Sequence, residues 1–196
     1  NLPQPVKLYY FTPAFRYERP QSGRYREHHQ FGCEAIGDAD AALDAEVIDM
    51  AWQFFTSLGL KRLALVLNSI GCKQCRPNYV AVLKEYYTQH IDELCPDCRA
   101  RLARNPLRLL DCKHPTCLRL AETAPRSIDY LCVDCEEHFT QLKSHLALLG
   151  FPFTINHRLV RGLDYYTRTV FEIQPEIEGG QSTIGGGGRY DNLIEE

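Results

Sequence analysis

No run of apolar residues approaches the ~18 that a membrane-spanning helix needs, so no such helix is expected. Asn1 to Lys7 also lacks the basic start and apolar stretch of a secretory signal, and a cytoplasmic location is expected. An initiator methionine is missing and the sequence stops abruptly at Asp191 to Glu196, the pattern of an excised or trimmed piece. Charge of one sign is scarce as well: 22 Lys and Arg against 25 Asp and Glu leave a net charge of -3. That balance removes any global electrostatic argument for nucleic acid, and such a partner has to be argued from local clusters.

What is present is the composition of an ordinary folded protein, 44% apolar and 24% charged. A chain of 196 residues can bury one proper core with a small second lobe, but not two large domains. Two local basic clusters stand out. Arg16, Arg19, Arg24 and Arg26 crowd one segment with His28 and His29, and Arg99, Arg101, Arg104, Arg108 and Lys113 crowd another. Each is equally readable as a solvated face.

Cysteine is abundant at nine, and eight fall into close pairs: Cys72 and Cys75, Cys95 and Cys98, Cys112 and Cys117, Cys132 and Cys135. Without a secretory signal such pairs are read as metal ligands before disulfides. A tetrahedral Zn²⁺ site takes four soft ligands, so the pairs suffice for two structural sites saturated by thiolate. A nested scheme joins Cys95 and Cys98 to Cys112 and Cys117, and Cys72 and Cys75 to Cys132 and Cys135. A sequential scheme, joining the first two pairs and the last two, has acceptable spacing too. His114 is a possible substitute ligand, and Cys33 reads as a buried thiol.

Val6 to Phe11 is β-branched and aromatic and runs to a bend at Thr12-Pro13, and His29 to Ile36 is a second strand-like run. The long charged loop between them is of the kind that carries function. Apolar positions Leu43, Val47, Ala51, Phe54 or Phe55, and Leu58 predict an amphipathic helix over 41–58, ended by Gly59. Leu63 to Leu67 reads as a strand covered on both faces. Within the cysteine-rich part a helix is predicted from Pro77 to Leu94, followed by another from Glu136 to Leu149 with Gly150 as its stop. Thr154 to Val160, Thr169 to Ile173 and Ser182 to Gly186 read as strands. The order predicts an α+β antiparallel sheet flanked by helices and interrupted by a helical, zinc-binding insertion. The expected division is a core over 1–71, an inserted module over 72–135 and the core continued over 136–196.

The segment Phe15 to Gly37, FRYERPQSGRYREHHQFGCEAIG, resembles motif 2 of the class II aminoacyl-tRNA synthetases as histidyl-tRNA synthetases carry it. Leu159 to Glu172, LVRGLDYYTRTVFE, and Gly186 to Asp191, GGGRYD, resemble that family's two histidine-specific signatures. The resemblance implies a histidine–tRNA ligase that joins histidine to the α-phosphate of Mg²⁺-bound ATP and then to tRNA(His). It implies Arg16 bridging the carboxylate and the α-phosphate, Arg161 approaching that phosphate from the opposite side, and Arg24 holding the outer phosphates. A guanidinium suits such work because it stays charged and grips oxyanions in a planar fork. Glu34 and Tyr166 match the pair that reads the imidazole, Gln30 the contact to the α-amino group, and Tyr165, Gly187 and Gly188 the pocket walls. Arg19, Gln21 and Arg26 would face the acceptor end of tRNA.

The same resemblance implies a homodimer in the full-length parent, with motif 1 before residue 1 and motif 3 after Glu196, and an isolated polypeptide of this length with little or no activity. Two other readings share part of the pattern. The synthetase-like regulatory subunit of ATP phosphoribosyltransferase has the fold and part of motif 2, but usually lacks the RGLDYYT arginine and the insertion. A zinc-bearing nucleic-acid module accounts for the cysteines and leaves the signatures unexplained.

Overall fold

The computed structural model describes residues 3–17, 25–160, 165–176 and 183–193. β1 (Val6–Phe15) and β2 (Glu27–Ile36) form an antiparallel pair, from Val6 opposite Ile36 to Phe15 opposite Glu27. β1 does not end at Thr12-Pro13 as the sequence suggested. Pro13 lies opposite His29 inside the ladder, which a strand with only one partner tolerates because its proline has no N–H to offer a second neighbour.

α1 (Ala41–Ser57) opens where the Asp40 carboxylate accepts the Ala42 N–H at 2.8 Å, and closes one residue before the predicted end. Gly59 follows at a φ of 84°, the left-handed conformation that glycine adopts without cost. β3 (Leu63–Ser69) is buried on both faces, as its unbroken apolar run predicts.

The insertion is helical throughout. It contains α2 (Arg76–Gln89), a 3-10 turn at Ile91–Glu93, α3 (Pro96–Leu102), a turn at Pro106–Leu109, α4 (Pro115–Thr123) and a turn at Ser127–Tyr130. The single helix predicted to Leu94 instead breaks at His90 and resumes as the first of these turns. Two short helices went unpredicted. Each begins with a proline at its first position, Pro96 directly after Cys95 and Pro115 directly after His114.

α5 (Val133–Leu148) leads to β4 (Phe153–Ile155), β5 (Thr167–Pro175) and β6 (Gly185–Arg189). The strand predicted to Val160 stops at Ile155, because the Asn156 side chain accepts the Arg158 N–H at 3.0 Å and turns the chain. β6 begins later than the predicted Ser182, a residue outside the described ones. The sheet order is β4-β3-β5-β6, with β3 parallel to β4 and the other pairs antiparallel, so the fold is mixed with antiparallel pairing dominant.

Strand alternation divides the packing. Leu65, Leu67, Phe171 and Ile173 meet Ile48 of α1 and Leu142 and Leu146 of α5, forming the main core. Val66 and Val170 face the other way and pack with Tyr166 and Leu159. The insertion has its own core, in which Leu83, Tyr87, Leu109 and Leu110 surround Cys98 and Cys117.

Candidate functional site

The side-chain period of two places His28, Gln30, Gly32 and Glu34 on one face of β2. The Arg16 N–H donates to the Arg26 carbonyl at 2.8 Å, which continues the hairpin one step past the strands. The Arg16 guanidinium Nη2 lies 3.2 Å from His28 Nε2, so the ring of His28 steadies the arginine head. Gln30 Nε2 donates to the Tyr10 hydroxyl at 2.8 Å. That approach is possible because Gly32 stands opposite Tyr10: a Cβ there would fall 2.1 Å from the tyrosine ring. Glu34 is half-buried, and burial raises its carboxyl above the ordinary carboxylate value.

The opposing wall comes from β5 and β6. Tyr165, Tyr166 and Tyr190 form an aromatic cluster, with the first two ring centroids 4.9 Å apart. Tyr166 is buried against β6, and Gly188 is the residue that admits it. A Cβ on Gly188 would lie 2.4 Å from the Thr169 carbonyl oxygen and 2.9 Å from the Tyr166 ring. Between Thr167 and Val170 the pairing with β6 slips, and Arg168 adopts a φ of 49°.

Residues of both walls line one open cleft of about 2270 Å³. It brings together Arg16, Gln30, Glu34, Tyr165, Tyr166, Gly187 and Gly188, residues from three separate stretches of sequence. Arg26 is exposed and is not among the residues lining that cleft. Arg19, Gln21, Arg24 and Arg161 lie outside the described residues. Arg101, Arg108 and Lys113 of the insertion reach the cleft rim, whereas Arg99 is engaged elsewhere, donating to the carbonyls of Leu94 at 3.0 Å and Asp92 at 2.6 Å. Cys33 is only half-buried and also lines the cleft, which corrects the expectation of a buried thiol: β2 presents this stretch to open space rather than to a covering layer. Burial is still sufficient to raise its thiol, and Glu34 adds to the effect.

Arg189 was missed by the sequence reading, which used only the glycines of GGGRYD. Its side chain is 7% exposed and pairs with Asp44 at 2.7 Å and Asp191 at 3.1 Å. It also donates to the carbonyls of Asp38 and Asp40 at 3.0 Å, so it ties β6 to the start of α1. His138 of α5 lies 3.4 Å from the same Asp44, and burial lowers its pKa despite that carboxylate. The signal was available: a charged residue inside a glycine strand has to be paired if it is buried.

The eight paired cysteines gather into two groups, Cys72, Cys75, Cys132 and Cys135, and Cys95, Cys98, Cys112 and Cys117, each with its sulfurs within 4.8 Å of one another. This is the nested arrangement, and none of these thiols is joined in a disulfide. Sulfur separations of 3.8 Å for Cys72 to Cys75 and Cys132, and 3.9 Å for Cys75 to Cys135 and Cys95 to Cys112, are far beyond a bond. They match the ~3.8 Å edge of a tetrahedron whose centre is ~2.3 Å from each sulfur, as in a zinc–thiolate site. His114 takes no part in either group, its Nδ1 lying 2.9 Å from the Thr116 hydroxyl.

Ionisation within each group is uneven. Burial pushes the Cys72 thiol up, but the backbone N–H groups of Cys75 and Gln74 and the thiols of Cys135 and Cys132 outweigh it, leaving a pKa of about 7. Burial and the neighbouring sulfurs push Cys98 and Cys135 well up. Four thiols so close together do not ionise together unless a cation balances them.

A profile described as Histidyl-tRNA synthetase matches residues 1–196. The histidine–tRNA ligase of Dehalococcoides mccartyi is 66% identical over 98% of this chain. The apo histidyl-tRNA synthetase of S. aureus superposes with a TM-score of 0.74 at 41% identity, covering 100% of this chain and 46% of that one. An ATP phosphoribosyltransferase regulatory subunit/histidyl-tRNA synthetase from Bacillus halodurans C, 22% identical with a TM-score of 0.61 over 98% of this chain and 53% of that one, shares the fold. The chain belongs to the histidyl-tRNA synthetase family. It spans 46% of the length of the Dehalococcoides relative.

Proposed function

We propose that the chain is part of the catalytic domain of a histidine–tRNA ligase, which activates histidine with Mg²⁺-bound ATP and transfers it to tRNA(His). The observation that carries this reading is the convergence of Arg16, Gln30, Glu34, Tyr166 and Gly188 on one cleft. Activation builds charge on the α-phosphorus, and a fixed guanidinium meets that charge best where it need not reorganise. Arg16, held by the hairpin and His28, suits this role, and Arg161 is its partner in the reading. Arg24 is assigned to the outer phosphates, and Arg19, Gln21 and Arg26 to the acceptor end.

Glu34 and Tyr166 take the imidazole nitrogens, Gln30 the α-amino group, and Tyr165, Gly187 and Gly188 the remaining walls. A pocket that pairs both ring nitrogens discriminates strongly, because a wrong side chain leaves buried polar groups unpaired. Residues 72–135 form an inserted module whose cleft-facing Arg101, Arg108 and Lys113 would touch tRNA phosphates, a role that needs no base reading. Each four-thiol group would hold one structural Zn²⁺, saturated by sulfur and therefore without an open coordination position. The family reading also assigns a homodimer and a cytoplasmic location to the full-length protein. Among the described residues no helix is long and apolar enough to cross a membrane.

Histidine binding to the full-length protein, measured by calorimetry across pH, tests the pocket. Glu34→Gln is expected to weaken binding about 10- to 100-fold, the cost of losing a charged acceptor at a buried contact. The ionised carboxylate accepts the imidazole N–H far more strongly than the protonated acid, and burial raises its pKa. Affinity is therefore expected to fall on acidification at a higher pH than an ordinary carboxylate near 4.5 would give, and Glu34→Gln is expected to remove that limb. Unchanged affinity in the variant would exclude Glu34 from the pocket.

A further inference from the structure

We propose that Arg76 is a positioning residue through which the thiol group at the neck of the insertion sets the histidine pocket, an inference that rests on the histidine and metal readings above. Arg76 is the first residue of α2 and follows Cys75 directly. Its backbone N–H donates to the Cys72 carbonyl at 2.9 Å, so its main chain is part of the knuckle that holds the first cysteine pair. Gly71, just before that knuckle, has a φ of 70°, and a Cβ there would lie 2.7 Å from the Cys75 sulfur.

The Arg76 side chain turns back toward the sheet. Its Nε donates to the Ile70 carbonyl at 3.2 Å, and its Nη2 donates to the carbonyls of Gly71 at 3.2 Å and of Tyr166. A planar guanidinium can serve several fixed carbonyls at once, which a single ammonium cannot match in geometry. One head group thus joins the chain leaving β3 to the chain entering β5.

Tyr166 needs such support because the ladder is irregular there. The register of β5 against β6 shifts between Thr167 and Val170, and Arg168 sits in the left-handed region. Two backbone bonds brace the same place, from the Arg168 N–H to the Gly71 carbonyl and from the Ile70 N–H to the Arg168 carbonyl, both at 2.8 Å. The wall that carries Tyr166 is therefore fastened to the 70–76 segment, and that segment is folded around Cys72 and Cys75. With all four neck sulfurs gathered by a metal, the start of α2 and the Arg76 head are fixed relative to the pocket. Without it, the knuckle loses two of its anchors, Cys132 and Cys135, which belong to the far end of the insertion.

The test uses the full-length protein with Arg76→Lys, Arg76→Ala and Cys132→Ser, measuring bound zinc, thermal melting and the KM values for histidine and ATP. Arg76→Lys is expected to keep its zinc and its melting temperature while raising the histidine KM about 10-fold, with the ATP KM unchanged and kcat within about threefold. Arg76→Ala is expected to show a larger defect of the same kind. Cys132→Ser is expected to lose one zinc and to show the same histidine-selective defect. An unchanged histidine KM in Arg76→Lys would overturn the proposal, as would a parallel rise of both KM values with a lower melting temperature. A metal-free parent protein would overturn the coupling to the neck. Failure of the parent to bind histidine at all would remove the functional reading and this inference with it.

Discussion

Replacing Cys98 or Cys117 with serine is expected to unfold the helical insertion while the sheet persists. Both sulfurs are fully buried in the insertion's own core, beside Leu83, Tyr87 and Leu109. That core is small, and a piece of this size gains little from hydrophobic burial alone. In the proposed state the four sulfurs around a Zn²⁺ supply the missing stability, and structural zinc in small modules contributes an apparent ~10–16 kcal/mol near neutral pH. A serine breaks the tetrahedral set and leaves a hydroxyl among apolar neighbours. Hydrogen exchange should show the amides of α2, α3 and α4 losing protection together, while those of β3 and β5 stay protected. A chelator should give the same pattern. Cys33→Ser, outside both thiol groups, is expected to change neither metal content nor protection. Protection that survives chelation and a stoichiometric loss of zinc would refute a structural metal.

Loss of the Arg16 guanidinium carries the second large effect. Arg16→Ala is expected to lower kcat for adenylate formation about 100- to 1,000-fold, the usual cost of removing one preorganised group aimed at developing charge. Arg16→Lys is expected to recover little of this, because an ammonium does not reproduce the planar fork that spans a carboxylate and a phosphate oxygen. The binding of histidine alone should change less than kcat, since in the proposed reaction the charge Arg16 would meet is greatest in the transition state. Single-turnover measurement of adenylate formation separates these effects. An equal rise in the histidine KM with kcat intact would reduce Arg16 to a ground-state binding residue.

Periodicity carried most of the fold. The pattern of α1 and the unbroken apolar run of β3 were readable because burial sets both, and the stop after α5 because Gly150 adopts a φ of 75° that glycine takes without cost. α3 and α4 escaped because they are too short to show a period, and their proline starts are hidden among cysteines. β6 was misplaced because Gly185 to Gly188 carry no side-chain pattern; their position is fixed by β5 and by the Tyr166 ring that crosses Gly188.

Within the cleft, the motif residues Glu34, Tyr166 and Gly188 had been named from resemblance, and the structure brings them to one lining. The supports were not legible in that way. Asn68 holds the segment after β4 by donating to the Leu159 carbonyl at 3.1 Å, and Ser127 donates in turn to Asn68 Oδ1 at 3.3 Å. Like Arg76 and Arg189, these residues act across 59 to 151 positions of sequence, distances at which no local pattern operates. Spacing alone allowed both the nested and the sequential grouping of the cysteines, and the positions of the sulfurs in the fold distinguish them.

Histidine-dependent exchange of pyrophosphate into ATP by the full-length protein tests the central assignment most directly. The cleft described above predicts rapid exchange with histidine, none with the other protein amino acids, and loss of exchange in Arg16→Ala. A folded full-length protein that binds ATP and histidine yet supports no exchange would contradict it.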